Sequence, residues 1–438
     1  MGAFAAGNVV VYRVGSGATA LSNATAAVFL DEYTSAGILV QSIALPTVDI
    51  SLGGITNQTL TAIGNSALEG LLTRSVDGRF LMLTGYDTAV ATTNAAALSS
   101  ATGRVIGRVG VDGLVDTSTS VAIGSGNVRG IASDNGASFY VSTSTTGVSY
   151  GTFGSAAVTQ LNTSATGPVN VRGLSIYDGQ LYESSMSGTF RISTVGTGAP
   201  TTAGQTITTI ASDGSATSPG ATASAPGAFF FADLTAAVDG VDTLYVADSR
   251  TGGGLFKYSL VGGLWTLNGS IVDSGLAGLT GSVSGSTVTL FGTTATALDL
   301  FSDMTGYNGI LTGGSTRLAT AATNTAFRGV AFAPQAAPVA NETIALQTTT
   351  VSQSEGTGTD TVYSFTLART GSTAAAATLT YAVVAGGTAD AADFVGATTN
   401  TAIFAAGQSI TTVKITVAGD TLTEADETFV LALSSPSA

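Results

Sequence analysis

Val128-Arg129-Gly130-Ile131-Ala132-Ser133-Asp134-Asn135-Gly136-Ala137-Ser138-Phe139-Tyr140-Val141 is the stretch on which the fold turns. Two short β-prone runs flank Asp134-Asn135-Gly136, and Asn-Gly between alternating apolar residues marks a hairpin. The same phrase returns along the chain. Val171-Arg172-Gly173-Leu174-Ser175 leads through Asp178-Gly179 into Leu181-Tyr182, and Leu68-Glu69-Gly70-Leu71-Leu72 leads through Asp77-Gly78 into Phe80-Leu81-Met82-Leu83. Phe327-Arg328-Gly329-Val330-Ala331 is a further copy, and Gly275-Leu276-Ala277-Gly278-Leu279 a looser one. From Glu69 to Arg129 is 60 residues and from Arg129 to Arg172 is 43, near the roughly 40–50 of a four-stranded propeller blade. No helical period persists over three turns, and the Gly and Thr content opposes one.

Counting outward places blades near 66–120, 127–163, 170–211, 228–274 and 275–320. The last phrase, 326–334, has one strand, while 8–46 offers three: Val9–Val14, Ala27–Asp31 and Ile38–Ile43. Joining them makes a sixth blade and pairs the two ends of the domain, which hides strand edges. The expected fold is all-β: a six-bladed β-propeller over 1–335, a Pro-punctuated linker at 336–343 and a β-sandwich over 344–438. Seven blades is the alternative, with weak strands in 46–66 or 196–226.

The C-terminal segment rests on a different signature. Gly387-Thr388-Ala389-Asp390-Ala391-Ala392-Asp393-Phe394 is followed by Asp420-Thr421-Leu422-Thr423-Glu424-Ala425-Asp426-Glu427-Thr428-Phe429, with Val351-Ser352-Gln353-Ser354-Glu355-Gly356 upstream. Together these resemble a Calx-beta domain, an immunoglobulin-like β-sandwich known from calcium-binding and cell-surface proteins. The resemblance implies Ca²⁺ ligands at Glu355, Asp393 and Asp420. Gly386 stands where the family has an Asp, and no Glu follows Asp393 before Ala402. Since Ca²⁺ takes six to eight oxygens, a weak site is the most this set implies. Glu424, Asp426 and Glu427 are further candidates that in this motif more often cap turns.

The first 335 residues resemble the N-terminal, propeller-like region of large secreted bacterial multidomain proteins, some of which carry nuclease or phosphatase domains beyond their Calx-beta domains. Val28-Phe29-Leu30-Asp31-Glu32-Tyr33, Asp242-Thr243-Leu244-Tyr245-Val246-Ala247-Asp248 and Thr323-Asn324-Thr325-Ala326-Phe327-Arg328 carry that likeness. It implies modularity, not an activity; the Cys-free, acidic, Gly/Ser/Thr/Ala-rich composition points to a place outside the cell, secreted or on the surface, and the lack of a signal peptide together with the ending just after the last expected strand reads as an excision from a longer protein.

Composition narrows the chemistry. The 438 residues include no Cys and no His, which removes disulfides, thiolate nucleophiles, Cys/His zinc sites and every Ser-His-Asp triad. Against 28 acids stand 14 bases, a net charge of −14. Without a Lys/Arg run to release counterions, nucleic acid is not an expected partner. Nor does any apolar run approach the roughly 20 residues of a membrane span.

Three of the 14 basic residues, Arg129, Arg172 and Arg328, share one repeated slot. A propeller sets them around one mouth of its channel, where they either bind an anion or a carboxylated sugar, or hydrogen-bond loop carbonyls between blades. Asp233, Asp239, Asp242 and Asp248 fall in the fifth blade. Propellers of the lactonase type hold a channel metal on carboxylates, yet an Asp before Ser249-Arg250 commonly caps a turn. Two functions are therefore carried forward. The first is a non-enzymatic binding, adhesion or assembly module whose partner is a polysaccharide, a surface protein or another copy of the chain. The second is a propeller hydrolase of lactonase or phosphoesterase type with a channel-bound metal. Aromatic residues, Trp265 among them, read as packing between strands.

Overall fold

A computed structural model describes residues 2–434 apart from 53, 98–102, 213–223, 337–342, 348–349, 372, 374–375, 385–386, 422 and 424. Gly386, Glu424 and most of the expected linker thus lie outside the described residues. Two compact units form, Met1–Ala337 and Pro338–Ala438.

The described strands of the first unit make six antiparallel blades. Blade 1 runs Ala326–Phe332, Val9–Val14, Thr25–Tyr33 and Leu39–Ala44; blade 2 runs Thr73–Arg74, Leu81–Tyr86, Arg104–Val109 and Val115–Val121. Blade 3 begins at Val128–Ala132, blade 4 at Val171–Tyr177, blade 5 at Pro226–Ala232 and blade 6 at Gly278–Ser284, each with three further strands in chain order. The alternative count has no support among the described residues. Within 46–66 lie a small hairpin, Ile50–Leu52 with Ile55–Asn57, and the short strand Thr61–Ile63 that stitches blade 1 to blade 2. Within 196–226, Ile207–Thr209 closes blade 4.

Closure uses the N-terminal strand. Val9 faces Phe332, Val11 faces Val330 and Arg13 faces Phe327, so the ring is sealed by main-chain bonds between residues more than 300 apart. Glu32, fully buried, ties down the segment before that strand by accepting from Ala5 N (2.8 Å), Asn8 Nδ2 (2.7 Å) and Gln41 Nε2 (2.7 Å). Strand period fixes which side chains meet. In Thr243–Asp248, Leu244 and Val246 pack with Phe231 and Ile192 toward blade 4, while Tyr245 and Ala247 pack with Leu279 and Leu290 toward blade 6. Trp265 lies 5.4 Å from Phe231 within the first of these clusters. The Asp178-Gly179 hairpin takes positive φ at both turn residues, 46° and 69°, with Tyr177 opposite Gln180, as a type I′ turn requires.

In the second unit, one sheet pairs Thr343–Leu346, Thr361–Thr370 and Ile410–Val417, and the other pairs Thr399–Phe404, Ala377–Val384 and Val430–Ser434. Phe365, Leu367, Leu379, Phe404, Val413 and Ile415 fill the space between them. Phe429 stands edge-on to Tyr363 and Phe394, with centroids 5.3 and 5.5 Å away. Among the described residues no helix is long and apolar enough to cross a membrane.

Candidate functional site

Each blade presents the edge of its first strand to the central axis, and the Gly of the repeated phrase lets neighbouring edges touch. A Cβ would lie 2.6 Å from Arg172 O at Gly130, 2.8 Å from Gly227 O at Gly173 and 2.4 Å from Ala277 O at Gly227. It would lie 2.6 Å from Arg328 O at Gly278 and 2.0 Å from Leu72 N at Gly329. A parallel bridge from Leu71 to Gly130 completes the circuit. At these glycines backbone therefore meets the backbone of the next blade. Hydroxyls of the second strands clamp it: Ser142 accepts from Gly130 N (2.9 Å) and donates to Arg172 O (3.0 Å). Ser184 likewise accepts from Gly173 N (2.8 Å) and donates to Gly227 O (2.6 Å), and Thr293 donates to Arg328 O.

On the C-terminal side of the glycines along these strands lies a cavity of about 230 Å³ bounded by all six blades, Leu71–Val76, Ser175, Phe230 and Phe332 among its walls. The arginines precede the glycines and so belong to the opposite mouth. In blades 3, 4 and 5 a register slip between first and second strands falls across this position, between Val128 and Ile131, Val171 and Leu174, and Pro226 and Phe229, and such bulges re-aim side chains.

The three arginines of the shared slot do not share an environment. Arg328 is 3% exposed, donates to Gly64 O (2.7 Å) and Phe327 O (3.0 Å), and sits in the field of Glu69. Glu69 holds the same slot in blade 2, buried, and accepts from Ile63 N (2.9 Å), Tyr86 Oη (2.8 Å) and Asn127. Burial pushes its carboxyl above the usual range against these hydrogen bonds. Arg104, wholly buried, lies 5.1 Å over the Tyr86 ring. Glu69 is thus the buried acid that acts on Arg104, Arg328 and, beyond them, Arg129.

Arg129 and Arg172 are only half-buried. Arg129 Nη1 donates to Asn170 Oδ1 and Val171 O (3.4 Å). Arg172 Nη1 donates to Pro226 O (3.2 Å) and Ser249 Oγ (3.5 Å), while its Nη2 reaches Met186 Sδ (3.3 Å). Arg191, which no repeat announces in the sequence, joins them. It is 2% exposed and donates to Gly188 O (3.2 Å) and Phe190 O (2.5 Å). Burial, then the like charges of Arg129 and Arg191, bring the Arg172 pKa down to about 10 against the pull of Asp248.

The fifth-blade acids are dispersed. Asp242 caps a turn, accepting from Leu234 N (2.9 Å) and Thr235 N (2.7 Å). Asp248 accepts from Arg250 N (3.1 Å) and pairs with Arg250 Nε (3.2 Å), while Asp233 and Asp239 are exposed. In the sandwich, Glu355 lies in the loop before Thr361–Thr370 rather than in a strand. Ala418 N donates to Asp393 O (2.9 Å), Gly358 N donates to Asp420 O (3.0 Å), and a Cβ at Gly419 would meet Gly356 O at 3.1 Å. The backbones of Glu355, Asp393 and Asp420 therefore come to one end of the sandwich. Their carboxylates do not gather: Asp393 Oδ2 accepts from Asp390 N (2.5 Å) in a capping box over Ala391–Asp393. Among the described residues no three acids converge on a common cation position. Thr388 N and Ala389 N both donate to Thr428 O (2.8 and 3.0 Å), and a Cβ at Gly387 would overlap that oxygen.

Residues 340–438 match the Calx-beta domain model, and no curated protein matches the chain. A chain of the nidogen/laminin complex is 14% identical, with 74% of this chain and 98% of that one covered and a TM-score of 0.44. A proposed 6-phosphogluconolactonase from Bacteroides uniformis is 13% identical, with 71% and 82% covered and a TM-score of 0.38.

Proposed function

We propose that this chain is a non-enzymatic binding module of a secreted or cell-surface protein, with the propeller as a rigid platform that offers its arginine-bearing mouth to an extracellular ligand. The observation that supports it is the gathering of like-charged guanidiniums, Arg129, Arg172 and Arg191, in a chain whose net charge is −14. Holding like charges together in a partly desolvated place costs stability that a bound anion would return. The acids of the fifth blade, by contrast, each serve a turn or face solvent. Calcium is a separate proposal for the sandwich: Glu355, Asp393 and Asp420 take it weakly, after Asp393 leaves its cap, at about millimolar concentration as in extracellular modules.

An array of acidic and neutral glycans and matrix proteins probed with the full chain in EDTA tests the first statement, and thermal unfolding of the full chain in EDTA and again in about 1 mM Ca²⁺ tests the second. Retention on acidic glycans without loss in EDTA is expected, together with a small calcium-dependent rise in the melting point of the sandwich. Release of cleaved product from any arrayed ester or lactone would replace the module with an enzyme.

A further inference from the structure

Going beyond that reading, we infer that the cavity of about 230 Å³ at the opposite mouth is a second binding site, for a small aromatic carboxylate whose acid Arg74 holds and whose ring lies among Tyr177, Phe230 and Phe332. The strand period builds its walls. In blades 4 and 5 the residues after the glycine alternate: Leu174, Ile176, Phe229 and Phe231 are buried between blades, while Ser175, Tyr177, Ala228 and Phe230 keep part of their surface. Thr280 and Phe332 do the same in blades 6 and 1, and all of these partly exposed residues line the cavity. Phe230 stands edge-on to Tyr177 with centroids 6.0 Å apart. Val76, 60% exposed, carries the wall out to solvent.

Arg74, half-buried, is the one charged residue among the described residues that line the cavity. Its Cζ stands 5.7 Å from the centre of the Phe332 ring, and its Nη1 donates to Ala333 O (3.3 Å). Among the described residues its guanidinium makes no other hydrogen bond and no ion pair; Asp77, the acid nearest in sequence, pairs with Arg79 at 2.5 Å. Burial lowers its pKa with no carboxylate pulling against it, whereas Arg13, Arg108 and Arg317 each face an Asp. The Nε–Nη2 edge is therefore left to a ligand, and its two parallel N–H groups match the two oxygens of a carboxylate. Neighbouring hydroxyls are committed elsewhere: Thr73 donates to Ile131 O (2.8 Å), Ser75 to Asp77 Oδ1 (2.7 Å), and Tyr177 to Phe229 O (3.0 Å). One acid and an otherwise apolar body is the ligand this lining suits, and three rings in the wall favour an aromatic one. Since an apolar cavity of about 150 Å³ holds benzene, the space here takes a single ring with a short acid-bearing arm.

The test is calorimetric titration of the full chain with sodium phenylacetate, and with phenylacetamide and acetate as comparisons that lack the charge and the ring. Phenylacetate is expected to bind with a Kd of about 1 mM or tighter, in keeping with its size. Both comparisons should bind at least about tenfold more weakly. Arg74→Gln should weaken phenylacetate about tenfold or more, through loss of the charged fork. Arg74→Lys, which keeps the charge, should lose less, and it serves in place of Arg74→Gln if melting shows that variant unfolded. Ala228→Phe, which fills the cavity and leaves Arg74 in place, should abolish binding. No heat with phenylacetate at about 10 mM, or parental affinity in folded Arg74→Gln and Ala228→Phe variants, overturns the site. Phenylacetamide binding as tightly as the acid overturns the role of Arg74, and acetate binding as tightly overturns the aromatic assignment. If phenylacetate fails while arrayed glycans are still retained, this site falls and the module reading stands; if phenylacetate binds while the arrays stay silent, the reverse holds.

Discussion

Glu183 faces Ser193 across blade 4 with no water-accessible surface, and the Ser193 hydroxyl is the group set against the burial of its carboxyl. Burial raises its pKa to about 8. The folded state thus holds this proton more tightly than the unfolded chain, whose Glu titrates near 4.5. Its stabilising effect is complete below about pH 4.5 and is lost as pH rises through about 8, a difference of a few kcal/mol at most. Denaturant unfolding at pH 5 and 8.5 should show the protein more stable at the lower pH. Glu183→Gln should flatten that slope by stabilising the protein at pH 8.5; an unchanged slope would mean the carboxyl finds a partner when ionised. The repeated slot of Arg129, Arg172 and Arg328 was legible in the sequence because repetition marks it. What divides these residues was not. Glu69 acts on Arg328 and Arg129, Arg191 acts on Arg172, and Arg191 belongs to a loop that no other blade repeats.

The contact between blades depends on one atom that glycine lacks. At Gly329 a Cβ would stand 2.0 Å from Leu72 N and 2.5 Å from Gly70 O, main-chain atoms that move only if blades 1 and 2 part. Gly329→Ala is therefore expected to cost about 3 kcal/mol or more, at or beyond the top of the range for overpacking. Gly314→Ala, with nothing within 4 Å, should be near neutral. Equal melting points for the two variants would show that the ring is not held by close backbone approach. Hairpins and blade order could be read from Asp-Gly and Asn-Gly spacing, and closure from counting strands: one left over at 326–334, three at 8–46. The clamping hydroxyls could not. Ser142, Ser184 and Thr293 occur once per blade in a chain rich in Ser and Thr, and only the register shows which of them faces the next blade.

At the scale of the whole molecule, six blades closed on themselves make two unlike openings. One leads to the cavity of about 230 Å³ walled by all six first strands, and the other carries the guanidiniums. The Calx-beta signature was legible because its residues are structural: Gly387 abuts Thr428, Asp390 and Asp393 cap a turn, and Phe394 and Phe429 meet at 5.5 Å. The same motif gave a less direct account of calcium, since a carboxylate that caps its own turn is not thereby aimed at a cation. The measurement that bears most directly on the account is amide hydrogen exchange of the full chain with and without a carboxylate-bearing oligosaccharide. Slowed exchange confined to 127–132, 170–173 and 186–191 is the predicted result. Protection that leaves these segments unchanged and appears instead at the cavity, in 73–76 and 175–177, or in the sandwich would contradict it.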